Sequence, residues 1–334
     1  MIPASATLSA APIGALQLKG QSANWVSLDE SYLYWTVRED PRHIFRYPLV
    51  GGQVETIAIS RFADGDLTTY QPIRSGSWLI FLDTHQRNNT AWLIRALNLK
   101  DRTEQIVLEE LGDPTSWPGP DFDADEDWVV WTRTGHNKSK NCDETILAVY
   151  NLKSGKKREL ERICAEHEHL WAFPHISGHH IVVEQDLPDE KGKGNDTYLF
   201  DLTTGQHTAL TTNHESSMPT IAGPWVVWKD LPRFRWDEAD VLYNLQTNEK
   251  RYIYAPPDFA NFHVQSGRWL YWHPFRGFHA YDLDTNRMFI IVPEGQDKFV
   301  TAGAVHGNIV VWCLDTEPAK APPKDTVLQW RTLP

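Results

Sequence analysis

What this 334-residue chain lacks narrows its class early. No apolar run approaches the eighteen or so residues that cross a bilayer, so no membrane span is expected. Apolar residues rarely recur at helical spacing, which argues against helices as the main element. Cysteine is scarce. Cys142, Cys164 and Cys313 make no disulfide framework, and spacing alone leaves open whether the first two pair. Basic charge is short as well: 32 Lys and Arg against 44 Asp and Glu leave a net charge of −12, which excludes a nucleic-acid backbone as the main partner. The opening MIPASATLSAAPIGALQ has neither the basic head nor the apolar core of an intact export signal. That favours the cytoplasm, with export if a signal has been trimmed away. Catalytic signatures are missing too: there is no G-x-S-x-G elbow and no glycine-rich phosphate loop.

What is present is aromatic and periodic. Fifteen Trp, thirteen Phe and eleven Tyr suit strands better than other elements. Seven similar neighbourhoods recur, centred on Trp35, Phe81, Trp131, Val183, Trp228, Trp272 and Trp312, with spacings of 40 to 52 residues. Five residues before the anchor stands a glycine in five copies: Gly76, Gly178, Gly223, Gly267 and Gly307. Glycine suits a tight hairpin there because it reaches positive φ without steric cost.

Each copy reads as four short strands with turn signals between them, the period of a propeller blade. The seventh copy ends after its third strand, TVLQWRTLP, and a spare strand-like segment, residues 14–20, precedes the first copy. The expected fold is therefore all-β: a seven-bladed β-propeller of four-stranded antiparallel blades, its last blade closed by an N-terminal strand. The blades fall at about 22–60, 68–110, 116–163, 169–212, 215–255, 259–293 and 298–334 plus 14–20, within one domain spanning 1–334.

The blade consensus is carried by Pro219, Ile221, Gly223, Val226, Val227 and Trp228, then by Phe200, Asp201, Leu202, Thr204 and Gly205. It resembles the repeats of the TolB-like superfamily and of bacterial and archaeal surface-protein propellers, without the S-P-D-G turns of the TolB pattern. The resemblance implies an architecture whose members include protein-binding modules, lyases and domains of peptidases, and architecture does not select among these.

Function is expected on the face carrying the variable connections between second and third strands, since loops on a rigid scaffold gather binding residues. Trp25, Tyr70, Trp117, Trp171, Phe173, Met218 and Phe262 fall near the starts of inner strands. Two readings fit them: a ligand-binding channel mouth, or wedges between adjacent blades. His175 and His263, also on inner strands, complete the candidate site. They suit an acid or base if the site is catalytic, and hydrogen-bonded structure if it is not. Arg133, His136, Lys138, Lys140, Arg233 and Arg235 read as a solvated charged rim.

Two stretches resemble metal sites. Cys164, His167, His169 and His175 lie close together in a connection between blades, and DFDADED, residues 121–127, alternates carboxylates. The second falls where other blades carry their first hairpin and lacks an EF-hand's glycine and distal glutamate, so an acidic turn is expected. No metal and no cofactor is expected. The expectation is a monomeric binding module for a protein or a small polar, carbohydrate-like ligand; the alternative is a propeller-fold lyase or hydrolase.

Overall fold

The computed structural model describes residues 5–7, 14–85, 91–111, 120–165, 171–189, 192–230, 239–254, 263–272, 277–293, 299–315 and 325–334. Among these the only regular elements are strands, which form seven sheets, the blades of a seven-bladed β-propeller. No helix is long and apolar enough to cross a membrane among the described residues. Within a blade the strands pair antiparallel in chain order. Blade three is typical: Asp121–Asp125, Trp128–Asn137, Cys142–Asn151 and Lys156–Ala165.

The turn glycines behave as the repeat requires. All five take φ between +53° and +57°, and in blade three Glu126 takes the same turn at +53°. The seven anchors are all buried, none above 2 % exposed. Trp35, Val183, Trp228 and Trp312 pack against a neighbouring sheet, because alternate side chains of a strand leave on opposite faces.

Contacts group the chain into two compact units, one built mainly from Asn88–Pro257 and the other mainly from Pro3–Arg74 and Asp258–Pro334. In the first, Trp171, Ile181, Val183 and Phe200 of blade four pack on Val130, Leu147 and Val149 of blade three. Trp228, Val226 and Ile221 of blade five pack on Val182 of blade four. Val182 and Val183 thus face opposite neighbours. Cys142 and Cys164 form a disulfide, Cα–Cα 5.7 Å, between the third and outer strands of blade three.

In the second unit the blade-seven sheet runs Phe299–His306, Ile309–Asp315, Asp325–Thr332 and then Gly14–Lys19. The last pair is antiparallel, from Gly14 opposite Trp330 to Lys19 opposite Asp325, so the N-terminal strand does close the last blade. Gly14 is required by its partner: a Cβ there would lie 2.2 Å from the Trp330 ring. Leu18 joins the core shared with Val26 and Trp35 of blade one. One pairing has no counterpart in the repeat. Ser5–Thr7 adds to blade six as a fifth strand, parallel to Met288–Ile290.

Candidate functional site

The inner strands of blades four and five, Trp171–Ser177 and Ser216–Ala222, break their ladders at matching places. In blade four the pairing passes from Ala172–Glu184 to His175–Val182, leaving Phe173 and Pro174 outside it. In blade five it passes from Ser217–Lys229 to Thr220–Val227, leaving Met218 and Pro219. Proline has no N–H to give a ladder and restricts the residue before it. Phe173 and Met218 are nevertheless left-handed, at φ +48° and +53°. Such conformations of bulky residues cost of order 1–3 kcal/mol and gather at sites where function demands them.

Carboxylates from the preceding blade hold both bulges. The Met218 N–H donates to Glu184 Oε2 at 2.6 Å, and the Phe173 N–H reaches Asp121 Oδ2 at 3.5 Å. Asp121 begins a ladder. The Ile176 N–H donates to Asp123 Oδ2 at 3.0 Å, and the Gly178 N–H to Asp125 Oδ2 at 2.7 Å. The alternating aspartates of DFDADED therefore leave one face of an inner strand and satisfy backbone donors on the neighbouring inner strand. This corrects their expected place in a hairpin, which only Glu126 and Asp127 form.

Glu184 is the unusual member. It is 4 % exposed, and Asn195 Nδ2 donates to its Oε1 at 2.5 Å. Burial pushes its carboxyl up to about 7 against the pull of the Met218 N–H, and the charges of Asp186 and Asp121 push the same way. Next to Asn195, Asp196 faces the other way. Its Oδ1 accepts from the Thr211 hydroxyl at 2.9 Å and the His214 N–H at 3.1 Å, while Oδ2 lies 2.8 Å from His214 Nδ1. His214 is left-handed at +58° and lies against Gly194, where a Cβ would meet the His214 Cβ at 2.7 Å. Only glycine fits there.

The residues expected to form the site divide. Phe173 is 41 % exposed, and His175, on the same strand, pairs through Nδ1 with Asp123 at 3.2 Å. Trp171, also on that strand, is core, edge-on to Tyr198 and Phe200 at 5.2 and 5.5 Å between blades three and four. Trp25 and Tyr70 are half-buried and belong to the other unit; the Trp25 indole N–H donates to the Thr68 carbonyl at 2.7 Å. His263 pairs with Trp272 at the start of the blade-six inner strand. Trp117, Phe262, His167, His169, Arg233 and Arg235 lie outside the described residues. Arg133 pairs with Glu110 at 2.9 Å and His136 with Asp143 at 2.9 Å, as rim charges do.

Sequence reasoning missed Glu184 and the Asp196–His214 pair. The repeat carried no signal for the first: the residue after the anchor is Thr36, Leu82, Thr132, Lys229, His273 and Cys313 in the other blades, so a polar or charged side chain there is not unusual.

The sequence matches no protein-family profile and no curated protein. Many solved structures share the fold. Acylaminoacyl peptidase from Pyrococcus horikoshii is 12% identical with a TM-score of 0.64; the match covers 93% of this chain but 51% of the peptidase, so this chain spans about half its length. The β-propeller domain of the trilobed protease from Pyrococcus furiosus is also 12% identical, TM-score 0.65, covering 93% of this chain and 96% of the domain. That domain has an open velcro topology, whereas here the two end strands pair. Oligogalacturonate lyase from Vibrio parahaemolyticus is 8% identical, TM-score 0.60, with 98% of each chain covered. Identities this low establish the propeller fold alone.

Proposed function

We propose that this protein is a binding module of the TolB-like kind that takes a small polar, carbohydrate-like ligand on the variable-loop face of blades three to five. The observation that carries this reading is Phe173. A large apolar side chain is held half in solvent by a left-handed backbone, its N–H turned toward Asp121. Packing gives no return for that strain, whereas a ring face rimmed by carboxylates and an imidazole is what a polyhydroxylated ligand stacks on and bonds to. That a lyase of oligogalacturonate shares the fold supports the ligand class. The Cys142–Cys164 bridge supports an oxidising compartment over the cytoplasm.

The test sets two aromatic residues of one strand against each other on an array of neutral oligosaccharides. Phe173→Ala should weaken binding about tenfold or more with little change in melting temperature. Trp171→Ala should instead destabilise the fold by about 3–5 kcal/mol. Unchanged binding by Phe173→Ala sinks the reading. An enzyme at the same face is the second reading, favoured by one observation: the Glu184 carboxyl, raised to about 7, is poised to trade a proton near neutrality.

A further inference from the structure

The outer strand of blade six, Arg287–Val292, differs from the outer strands of the other blades in having no polar or charged side chain after its first residue. Residues 288–292 read Met-Phe-Ile-Ile-Val. Elsewhere an exposed polar or charged residue interrupts the outer strand: Glu55 in blade one, Glu109 in two, Arg158 in three, His207 in four, Lys250 in five and Gln17 in seven. Such groups blunt a sheet edge against pairing with other chains. Blade six is covered by chain instead. Ser5–Thr7 lies parallel along it, from Ser5 beside Met288 to Thr7 beside Ile290. Among the described residues this pairing stops two residues short of the strand's end at Val292. The cover is removable, being three residues of the less stable parallel kind of pairing. Ring closure does not depend on it, because the strand that closes blade seven begins only at Gly14. The edge beneath is firmly held: Met288, Phe289 and Ile291 are buried, the last two in one core with Trp269 and Trp312.

We propose that the outer edge of blade six is a docking site for an extended, uncharged segment of a partner protein, which displaces Ser5–Thr7 and adds parallel to residues 288–292. Nothing in this depends on the ligand site around Phe173. The resident strand supplies the direction and the chemistry of the occupant: it runs parallel, and its sequence, Ser-Ala-Thr, carries no charge. Main-chain hydrogen bonds along the edge supply the affinity, as in other cases where an extended peptide joins an exposed sheet. A segment of five residues matches the whole apolar run, whereas the described resident strand matches three of its residues. The incoming strand therefore gains two further pairs. One charged side chain would have protected this edge as it does in other blades. An apolar run kept under a short, separable strand suits an edge that is put to use.

The probe is a fluorescein-labelled synthetic peptide of this chain's residues 2–9, IPASATLS. Continued in the register of the resident strand, its last two residues reach Ile291 and Val292. The cover is opened in the full-length protein by Ala6→Pro and, separately, by Thr7→Pro. Proline has no N–H to give, and of two successive strand residues one turns its N–H toward the partner strand. At least one of these variants should bind the peptide about tenfold or more tightly than the parent, because the tethered strand no longer competes. Its melting temperature should change little, since the closure of blade seven is intact. Ile290→Lys added to that variant should abolish the gain. No gain in either proline variant, or a gain that survives Ile290→Lys, overturns the proposal. Light scattering on the same samples distinguishes the occupant: parent and proline variants should be monomeric, and a dimer would assign the edge to a second copy and overturn the partner reading.

Discussion

Glu126 does in blade three what glycine does in five other blades, and it carries a side chain through a φ of +53° to do so. A position can thus be read from a repeat even where its residue type fails, because the turn and not the glycine is what repeats. Glu184 is the opposite case, a residue whose chemistry the repeat conceals until its neighbours are known. Its carboxyl ordinarily titrates near 4.5 and in the fold near 7, so the folded state holds the proton more tightly. The stability this contributes is complete below 4.5 and is lost as pH rises through 7. Glu184→Gln cannot ionise and should lack that slope. In urea denaturation the variant should gain on the parent between about pH 5 and 8; a constant difference across that range would mean that Glu184 stays ionised in the fold.

At the scale of strands, the sequence showed the blades but not how neighbouring inner strands are tied. Pro72, Pro174 and Pro219 stand four residues before Gly76, Gly178 and Gly223, a visible regularity. That the proline in blades four and five turns its predecessor into a left-handed bulge depends on a carboxylate one blade away, which no local pattern records. The same holds for Asp121, Asp123 and Asp125. Alternation showed that they share a face, but their partners are backbone donors more than fifty residues later. Asp123→Ala should strand the Ile176 N–H and cost about 1–3 kcal/mol, and Asp123→Asn should cost less by keeping an acceptor. Equal melting temperatures for Asp123→Ala and the parent would show that water satisfies the donor equally well.

For the molecule as a whole, period and ends were enough. The missing fourth strand of the last copy and the spare segment before the first predicted a pairing that the structure contains, although its register, Gly14 opposite Trp330, was not in the pattern. The parallel Ser5–Thr7 strand escaped notice because three residues carry no periodicity, and because a parallel partner leaves no hairpin signal nearby. Removing residues 1–21 should strip both strands, expose Leu328 and the core around Val26, and lower the melting temperature by at least about 5 °C. An unchanged melting temperature would show the closure to be ornamental. The direction of that closure also sets how the chain answers force. Gly14 lies opposite Trp330, so both tails leave the strand pair at the same end. Tension applied through the two termini then meets one hydrogen-bonded pair at a time, like a zip drawn from its open side, instead of loading all of them together in shear. A clasp of this kind gives way to pulling on its two tails at lower force than the same strand pair loaded in shear would.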